Sequence, residues 1–159
     1  MTALLNERLH SLLPRGLYAT MVYLHIDAGR RLVAWCGAGG PPPLLVSTDW
    51  ADDLETRGLP LGVRSNGMYR RRWMRLPEAG ILAVFSDGLF ESGGQDPDVP
   101  RQAIADSLAE PAALAKRGDL AAAAQEARVR LEGLRDRYPR RGHSDDVMAI
   151  CVAFGPVAG

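Results

Sequence analysis

The sequence predicts an α+β fold in which helices pack on antiparallel sheets. Its 159 residues are the size of one domain, and 47% of them are hydrophobic, which is enough to form a core. Strand-like runs joined by short turns outnumber the strand–helix–strand patterns that a parallel sheet requires. Helical patterns stand at the start of the chain and again before its last strand. This order of helix, strands, two helices and strand favours helices on antiparallel sheets.

The first part of the chain predicts a helix followed by a β-hairpin. Residues 2–13 place four leucines at helical spacing, with Asn6 among the polar residues of the other face. Residues 18–26 and 31–36 are rich in β-branched, aromatic and aliphatic side chains, and turn residues at 27–29 separate them. We therefore expect an amphipathic helix and then a hairpin.

The region after the hairpin is harder to interpret. Glycines and prolines interrupt it before a short apolar run at residues 44–46, which predicts a third strand. Residues 49–67 are polar and rich in turn residues, and they predict an ordered loop without a clear secondary structure.

Arginines cluster between Arg64 and Arg75. Such a cluster can bind nucleic acid when aromatic side chains lie among the charges, and here only Tyr69 and Trp73 do. A solvated strand edge protected by charge is the stronger interpretation.

Two uninterrupted apolar runs, residues 81–85 and 147–154, predict strands that are covered on both faces. Two helical patterns separate them. The first begins at Pro100 and is expected to end at Pro111, and the second begins at an Asp119 N-cap and runs to residue 138. We expect both helices to pack on one face of a sheet.

Charge and hydropathy exclude some classes of partner. Nineteen Lys and Arg residues balance nineteen Asp and Glu residues, so bulk charge does not favour binding to nucleic acid or to an anionic membrane. The longest apolar runs are far shorter than the roughly 20 residues that a membrane helix needs, and the first residues do not resemble a secretory signal. A cytoplasmic location is expected. Cys36 and Cys151 lie in apolar runs and are interpreted as small buried side chains.

Acidic residues stand at one end of each apolar strand. Asp87 follows the run at 81–85, while Asp145 and Asp146 precede the run at 147–154. If the two strands are antiparallel neighbours, these carboxylates meet at one edge of the sheet, where they would suit Mg²⁺ or Mn²⁺. The alternative is a plain turn at Asp87 and a solvated loop around His143 and Asp145.

Four sequence blocks occur in the order and spacing of the metal-dependent, protein phosphatase 2C-like family. They are Gly37-Ala38-Gly39 with the following Pro-Pro-Leu-Leu, residues 58–63, residues 84–91 and residues 144–148. The chain resembles most closely the bacterial branch typified by the stage II sporulation phosphatase. This resemblance implies two antiparallel sheets sandwiched between helix pairs, and hydrolysis of phosphoserine or phosphothreonine by a water held between two Mn²⁺ or Mg²⁺ ions. It also implies that Asp87 and Asp145 are metal ligands.

The chain departs from the family pattern in its missing N-terminal part. The family has a Gly-Asp pair in an early strand, whose Asp bridges both metals, and this chain has only Gly118-Asp119, which fits a helix N-cap. We therefore interpret residues 1–155 as the C-terminal part of the phosphatase domain and residues 156–159 as a tail.

Two functions follow from the resemblance. The first is a portion of a serine/threonine phosphatase domain that acts on a phosphorylated regulator, such as an anti-sigma-factor antagonist, and that is inactive as this chain alone. The alternative is a pseudo-phosphatase that binds a partner in sigma-factor or two-component regulation. In either case we expect no nucleic-acid or membrane partner, and self-association through exposed sheet edges is expected because covering strands are missing.

Overall fold

A computed structural model describes residues 1–86, 88, 98–137 and 148–156. The predicted α+β class with antiparallel sheets is confirmed. The strands are β1 (Met21–Asp27), β2 (Leu32–Ala38), β3 (Leu44–Val46), β4 (Ala51–Asp53), β5 (Arg72–Arg75), β6 (Gly80–Phe85) and β7 (Ala149–Phe154). The helices are α1 (Thr2–Leu12), α2 (Asp98–Lys116) and α3 (Leu120–Arg137).

Residues 1–42 and 54–76 form one compact unit. It contains α1 and a three-stranded antiparallel sheet in the order β1-β2-β5. The predicted hairpin is confirmed, with Asp27 paired to Leu32 at its closed end. The backbone N–H of Arg30 donates to Asp27 Oδ1 over 2.9 Å, which holds the turn.

The predicted orientation of the first helix is wrong in one respect. Asn6 was assigned to the polar face, yet it is fully buried, while Leu5 and Leu12 are exposed. The side chain of Asn6 can be buried because its amide is bonded to a loop from elsewhere in the same unit. Leucine spacing alone could not identify that partner.

Residues 43–53 and 77–159 form the second compact unit. Its four-stranded antiparallel sheet has the order β4-β3-β6-β7, and α2 and α3 pack on one face of it, as predicted. Ile81, Ala83 and Phe85 of β6 contribute to the resulting core. The helix residues that complete this core are small or aliphatic: Ile104, Ala105, Leu108, Ala112, Ala115, Ala123, Ala127, Leu131 and Leu134.

The prediction that Pro111 ends the first of these helices is wrong, because α2 continues through it to Lys116. Proline removes only one helical hydrogen bond, although its ring also crowds the preceding turn. Pro111 is fully buried, and Leu108, Ala112 and Ala115 around it have no exposed surface. Packing of this helix face on the sheet therefore outweighs the local cost of the proline. The predicted N-cap of α3 is confirmed, since Asp119 Oδ1 accepts a hydrogen bond from the N–H of Ala122 over 3.0 Å.

The prediction that the last strand is buried on both faces is also wrong. Within the described residues β7 pairs only with β6 and forms an edge of its sheet. Ile150 and Val152 lie on the face of the sheet opposite α2 and α3, and they are 52% and 38% exposed. No helix in the described part of the chain is long and apolar enough to cross a membrane.

Candidate metal centre

The sequence predicts a site where the end of β6 meets the start of β7. The two strands are antiparallel neighbours, as predicted, with Gly80 opposite Phe154 and Phe85 opposite Ala149. Their pairing follows from apolar side chains that alternate between the helix-covered face and the other face of the sheet. The carboxyl end of β6 and the amino end of β7 therefore lie side by side at the same end of the sheet.

Two hydrogen bonds extend this pairing beyond the strands. The N–H of Ser86 donates to the carbonyl oxygen of Met148 over 2.9 Å. In return, the N–H of Met148 donates to Ser86 Oγ over 2.8 Å. The serine hydroxyl takes the place of a backbone carbonyl in this pair, so it has a structural role in holding the two chain segments together.

The four side chains that the sequence singles out for this edge are Asp87, His143, Asp145 and Asp146, and all four lie outside the described residues. Asp87 follows Ser86 directly in the chain, and Asp145 precedes Met148 by three residues. Within the described ranges, no three His, Cys, Asp or Glu side chains come together in a way that could hold a metal ion.

Cys151 lies within β7, three residues after Met148. Burial raises the pKa of its thiol from 9.0 to about 11. The thiolate, which is the form that binds metals and attacks electrophiles, is therefore disfavoured at neutral pH. The interpretation of Cys151 as a packing residue agrees with this environment.

The first two blocks of the resemblance, at residues 37–39 and 58–63, meet each other in the first unit. The N–H of Gly39 donates to the carbonyl oxygen of Gly58 over 3.0 Å. A Cβ on Gly37 would lie 2.3 Å from Thr56 Cβ, and Gly39 has a φ of +77°, so both positions require glycine. The other two blocks meet at Ser86 and Met148. Hydrogen bonds between described residues thus join the blocks in two pairs, Gly39 with Gly58 in the first unit and Ser86 with Met148 in the second.

Sequence reasoning missed Asn6 as a positioning residue for the loop that contains residues 58–63. Asn6 Oδ1 accepts hydrogen bonds from the N–H of Gly62 and the hydroxyl of Tyr69, both over 2.9 Å. Asn6 Nδ2 donates to the carbonyl oxygens of Arg64 and Ser65 over 2.8 and 3.2 Å. An asparagine within a leucine-rich helix was the available signal.

A family model described as Stage II sporulation protein E (SpoIIE) matches residues 1–155. The chain belongs to the SpoIIE family. The four paired blocks are therefore features of a SpoIIE-type domain, and the family resemblance proposed from sequence is confirmed.

Known relatives agree with this assignment. The phosphoserine phosphatase RsbP of Bacillus subtilis (strain 168) is 30% identical over an alignment of 97 residues that covers 55% of this chain and 23% of that protein. The structure of the RsbU and RsbW domains of Rv1364c from Mycobacterium tuberculosis superposes with a TM-score of 0.73 at 28% identity, covering 96% of this chain and 42% of that one.

The phosphatase domain of SpoIIE from Bacillus subtilis, in a Mn-presoaked structure, has the same fold. It gives a TM-score of 0.65 at 19% identity and covers 99% of this SpoIIE-family chain and 66% of that chain. The chain therefore spans less than two thirds of each of these three relatives and represents part of the domain.

Proposed function

We propose that this chain forms part of a metal-dependent phosphoprotein phosphatase domain, residues 1–155 with a tail at 156–159, in bacterial signalling. Asp87 and Asp145 are the proposed ligands of Mn²⁺ or Mg²⁺. The proposed substrate is a phosphoserine or phosphothreonine regulator protein of the anti-sigma-factor antagonist type. The observation that carries the proposal is the reciprocal pair of hydrogen bonds between Ser86 and Met148.

The position of this pair along the chain supports the ligand assignment. Consecutive Cα atoms are about 3.8 Å apart, so Asp87 is one such step from Ser86 and Asp145 is at most three from Met148. Both carboxylates can therefore reach the edge of the sheet at which β6 ends and β7 begins. Carboxylate oxygens are the ligands that Mg²⁺ and Mn²⁺ prefer.

Relatives support the choice of metal. The SpoIIE phosphatase structure is described as Mn-presoaked, and a structure of RsbX is described as a complex with magnesium. When bound, such an ion lowers the pKa of coordinated water and neutralises negative charge on a phosphoryl group. This chain would contribute two carboxylates, which would hold one divalent ion weakly, and the ion would supply the positive charge that a phosphate needs.

A specific observation favours the alternative of a pseudo-phosphatase scaffold. The only Gly-Asp pair of the chain is Gly118-Asp119. Gly118 has a φ of +85° between α2 and α3, and Asp119 is the N-cap of α3. This pair is thus part of a helix connection, and the chain contributes no equivalent of the bridging Asp. A partner in sigma-factor or two-component regulation would then be bound without being dephosphorylated.

The experiment measures Mn²⁺ binding by calorimetry and hydrolysis of a phosphoserine peptide. We expect weak Mn²⁺ binding that Asp87→Asn and Asp145→Asn each abolish, and little hydrolysis by this chain alone. Asp106→Asn, at an exposed carboxylate of α2, is the matched control and should bind Mn²⁺ like the unchanged chain.

The outcomes separate the two functions. Unchanged Mn²⁺ binding in both site variants would refute the metal site. Ordinary turnover that Asp87→Asn abolishes would mean that the chain supplies a further ligand. If a longer natural polypeptide containing this chain is also inactive with Mn²⁺, the scaffold function is the better account.

A further inference from the structure

Trp73 exposes 70% of its surface on β5. Its strand neighbours Arg72 and Met74 are half-buried and point to the opposite face of the sheet, so the faces differ in exposure. Trp73 is in register with Ala34 of β2, and Ala34 is in register with His25 of β1. These three residues form a row across the sheet on the same face. Such a large apolar side chain is seldom this exposed on the surface of a sheet.

A groove lies beside this row. Ala34 and Cys36 are small and are only 6% and 5% exposed, so they form the bottom of this groove. Tyr23, which is in register with Cys36, is 38% exposed and rises beside them. Tyr23, His25, Cys36, Tyr69 and Arg71 line a cleft of about 480 Å³, together with the first residues of α1. The cleft is large enough for one or two side chains of a partner.

The charge beside Trp73 is positive. Arg75 stands two positions after Trp73 in β5, and strand alternation puts it on the same face. Arg71, just before β5, lines the cleft beside the row. Among the described residues neither has a carboxylate partner, whereas Arg72 on the opposite face bonds to Glu55 Oε2 over 2.8 Å. Asp27, in the row of Arg75, is already bonded to Arg30, whose N–H holds the pKa of that carboxyl below its usual value. Two guanidinium groups thus lie beside the ring without a carboxylate partner in the part of the chain that the structure describes.

We propose that this surface docks an acidic segment of a partner protein. The surface, named the Trp73 face, consists of Tyr23, His25, Arg71, Trp73 and Arg75 around the small residues Ala34 and Cys36. Carboxylates of the segment pair with Arg71 and Arg75 in bidentate geometry, and an apolar side chain packs on Trp73 or enters the cleft. Trp, Tyr and Arg are the residues that dominate binding energy at protein interfaces. The Trp73 face belongs to the first unit and the proposed metal centre to the second, and the docking proposal does not depend on a bound metal.

A protein partner fits the Trp73 face better than nucleic acid does. Two unpaired arginines neutralise about two phosphates, while nucleic-acid binding at physiological salt typically uses several more. The zero net charge of the chain adds no long-range attraction to a polyanion. A short acidic segment that also carries an apolar side chain can pair with Arg71 and Arg75 and pack on the ring of Trp73.

The test uses fluorescence anisotropy with a labelled peptide, acetyl-Glu-Glu-Leu-Glu-Phe-Glu-Glu-amide, and the full chain. We expect saturable binding that weakens between about 50 mM and about 200 mM salt, because rim charge pairs are screened. Trp73→Ala, and separately the double variant Arg71→Glu/Arg75→Glu, should each weaken binding about tenfold or more. The double variant Arg8→Glu/Arg117→Glu carries the same charge change at exposed positions that do not line the cleft, and it should bind normally.

Four results would overturn the proposal. They are the absence of saturable peptide binding by the unchanged chain, equal loss in the Arg8/Arg117 control, equal binding of the same peptide with Lys in place of Glu, and tighter binding of a single-stranded oligothymidylate than of the acidic peptide. Circular dichroism of each variant establishes that the fold is retained, and these exposed positions tolerate substitution without loss of core packing.

Discussion

Asn6 is a single residue whose environment explains the attachment of α1. An asparagine amide has two donor hydrogens and two acceptor positions, and all four are used by Gly62, Arg64, Ser65 and Tyr69. Because every polar atom is bonded, the side chain can be fully buried at little cost. The loop that contains residues 58–63 is thereby fixed to the helix.

We expect Asn6→Ala to lower the free energy of unfolding by about 2–4 kcal/mol, because several buried polar groups lose their partner at once. Tyr69→Phe removes only one of the four bonds and should cost about 1 kcal/mol. Urea denaturation measures both. A loss below about 0.5 kcal/mol in Asn6→Ala would contradict the proposed role.

The thiol of Cys151 predicts a dependence of stability on alkaline pH. Its pKa is raised from 9.0 to about 11 by burial, so the folded chain retains a proton that the unfolded chain loses. The free energy of unfolding should therefore fall as the pH rises from 9.0 towards about 11. Cys151→Ala should lack this part of the decrease, while Cys36→Ala, which retains Cys151, should show it. Identical pH profiles for the two variants would refute the assignment.

At the scale of the elements, two glycines lie in opposite environments. In β6, a Cβ on Gly80 would stand 2.4 Å from the carbonyl oxygen of Val46 on the neighbouring strand. In α3, a Cβ on Gly133 would meet no atom within 4 Å. The close packing of β6 against β3 requires glycine, and the exposed helix position does not.

Gly80→Ala should destabilise the chain by about 1–3 kcal/mol, because a strand backbone must shift to accept the methyl group. Gly133→Ala should stabilise it by about 0.5–1 kcal/mol, because alanine restricts the unfolded chain and favours helix. Thermal unfolding of the two variants provides the comparison. Changes of the same sign would show that the environment of one glycine has been misassigned.

At the scale of the whole molecule, the two edges of the β4-β3-β6-β7 sheet differ in charge. The β4 edge carries Asp52 and Asp53, and Asp53 pairs with Arg101. The β7 strand has no charged residue between Ala149 and Phe154. Because the N–H of Ser86 bonds to Met148, the alternating groups of Ala149, Cys151 and Ala153 point away from β6. Within the described residues, β7 is thus an uncharged edge whose outward backbone groups pair with no strand, and such an edge is a site for strand addition.

Self-association through β7 therefore remains our expectation for this chain. Sedimentation velocity should show an average mass that rises with concentration. Ile150→Lys should reduce that rise, because a charge at a strand edge opposes pairing. Val129→Lys is the matched control, since Val129 is 50% exposed on α3 and Ile150 is 52% exposed on β7. A monomer at all concentrations would contradict the expectation.

The sequence alone determined features that depend on neighbouring residues. The β1–β2 hairpin follows from two apolar runs around a turn at Asp27, and the start of α3 follows from the Asp119 cap. The pairing of β6 with β7, and hence the sheet edge where the candidate ligands Asp87 and Asp145 are expected, followed from two uninterrupted apolar runs together with the family resemblance. Turn chemistry, capping and periodicity act over a few residues and can therefore be read locally.

Only the tertiary structure decided what is buried and which strand is an edge. The amide of Asn6 is bonded to the carbonyl of Arg64, 58 residues away in the chain. The buried Pro111 is accepted inside α2 because distant core residues hold the helix on the sheet. Exposure of Ile150 depends on what covers the face of the sheet opposite α2 and α3. Each outcome is set by contacts between segments that are far apart in sequence, and the free energy of those contacts exceeds local preference.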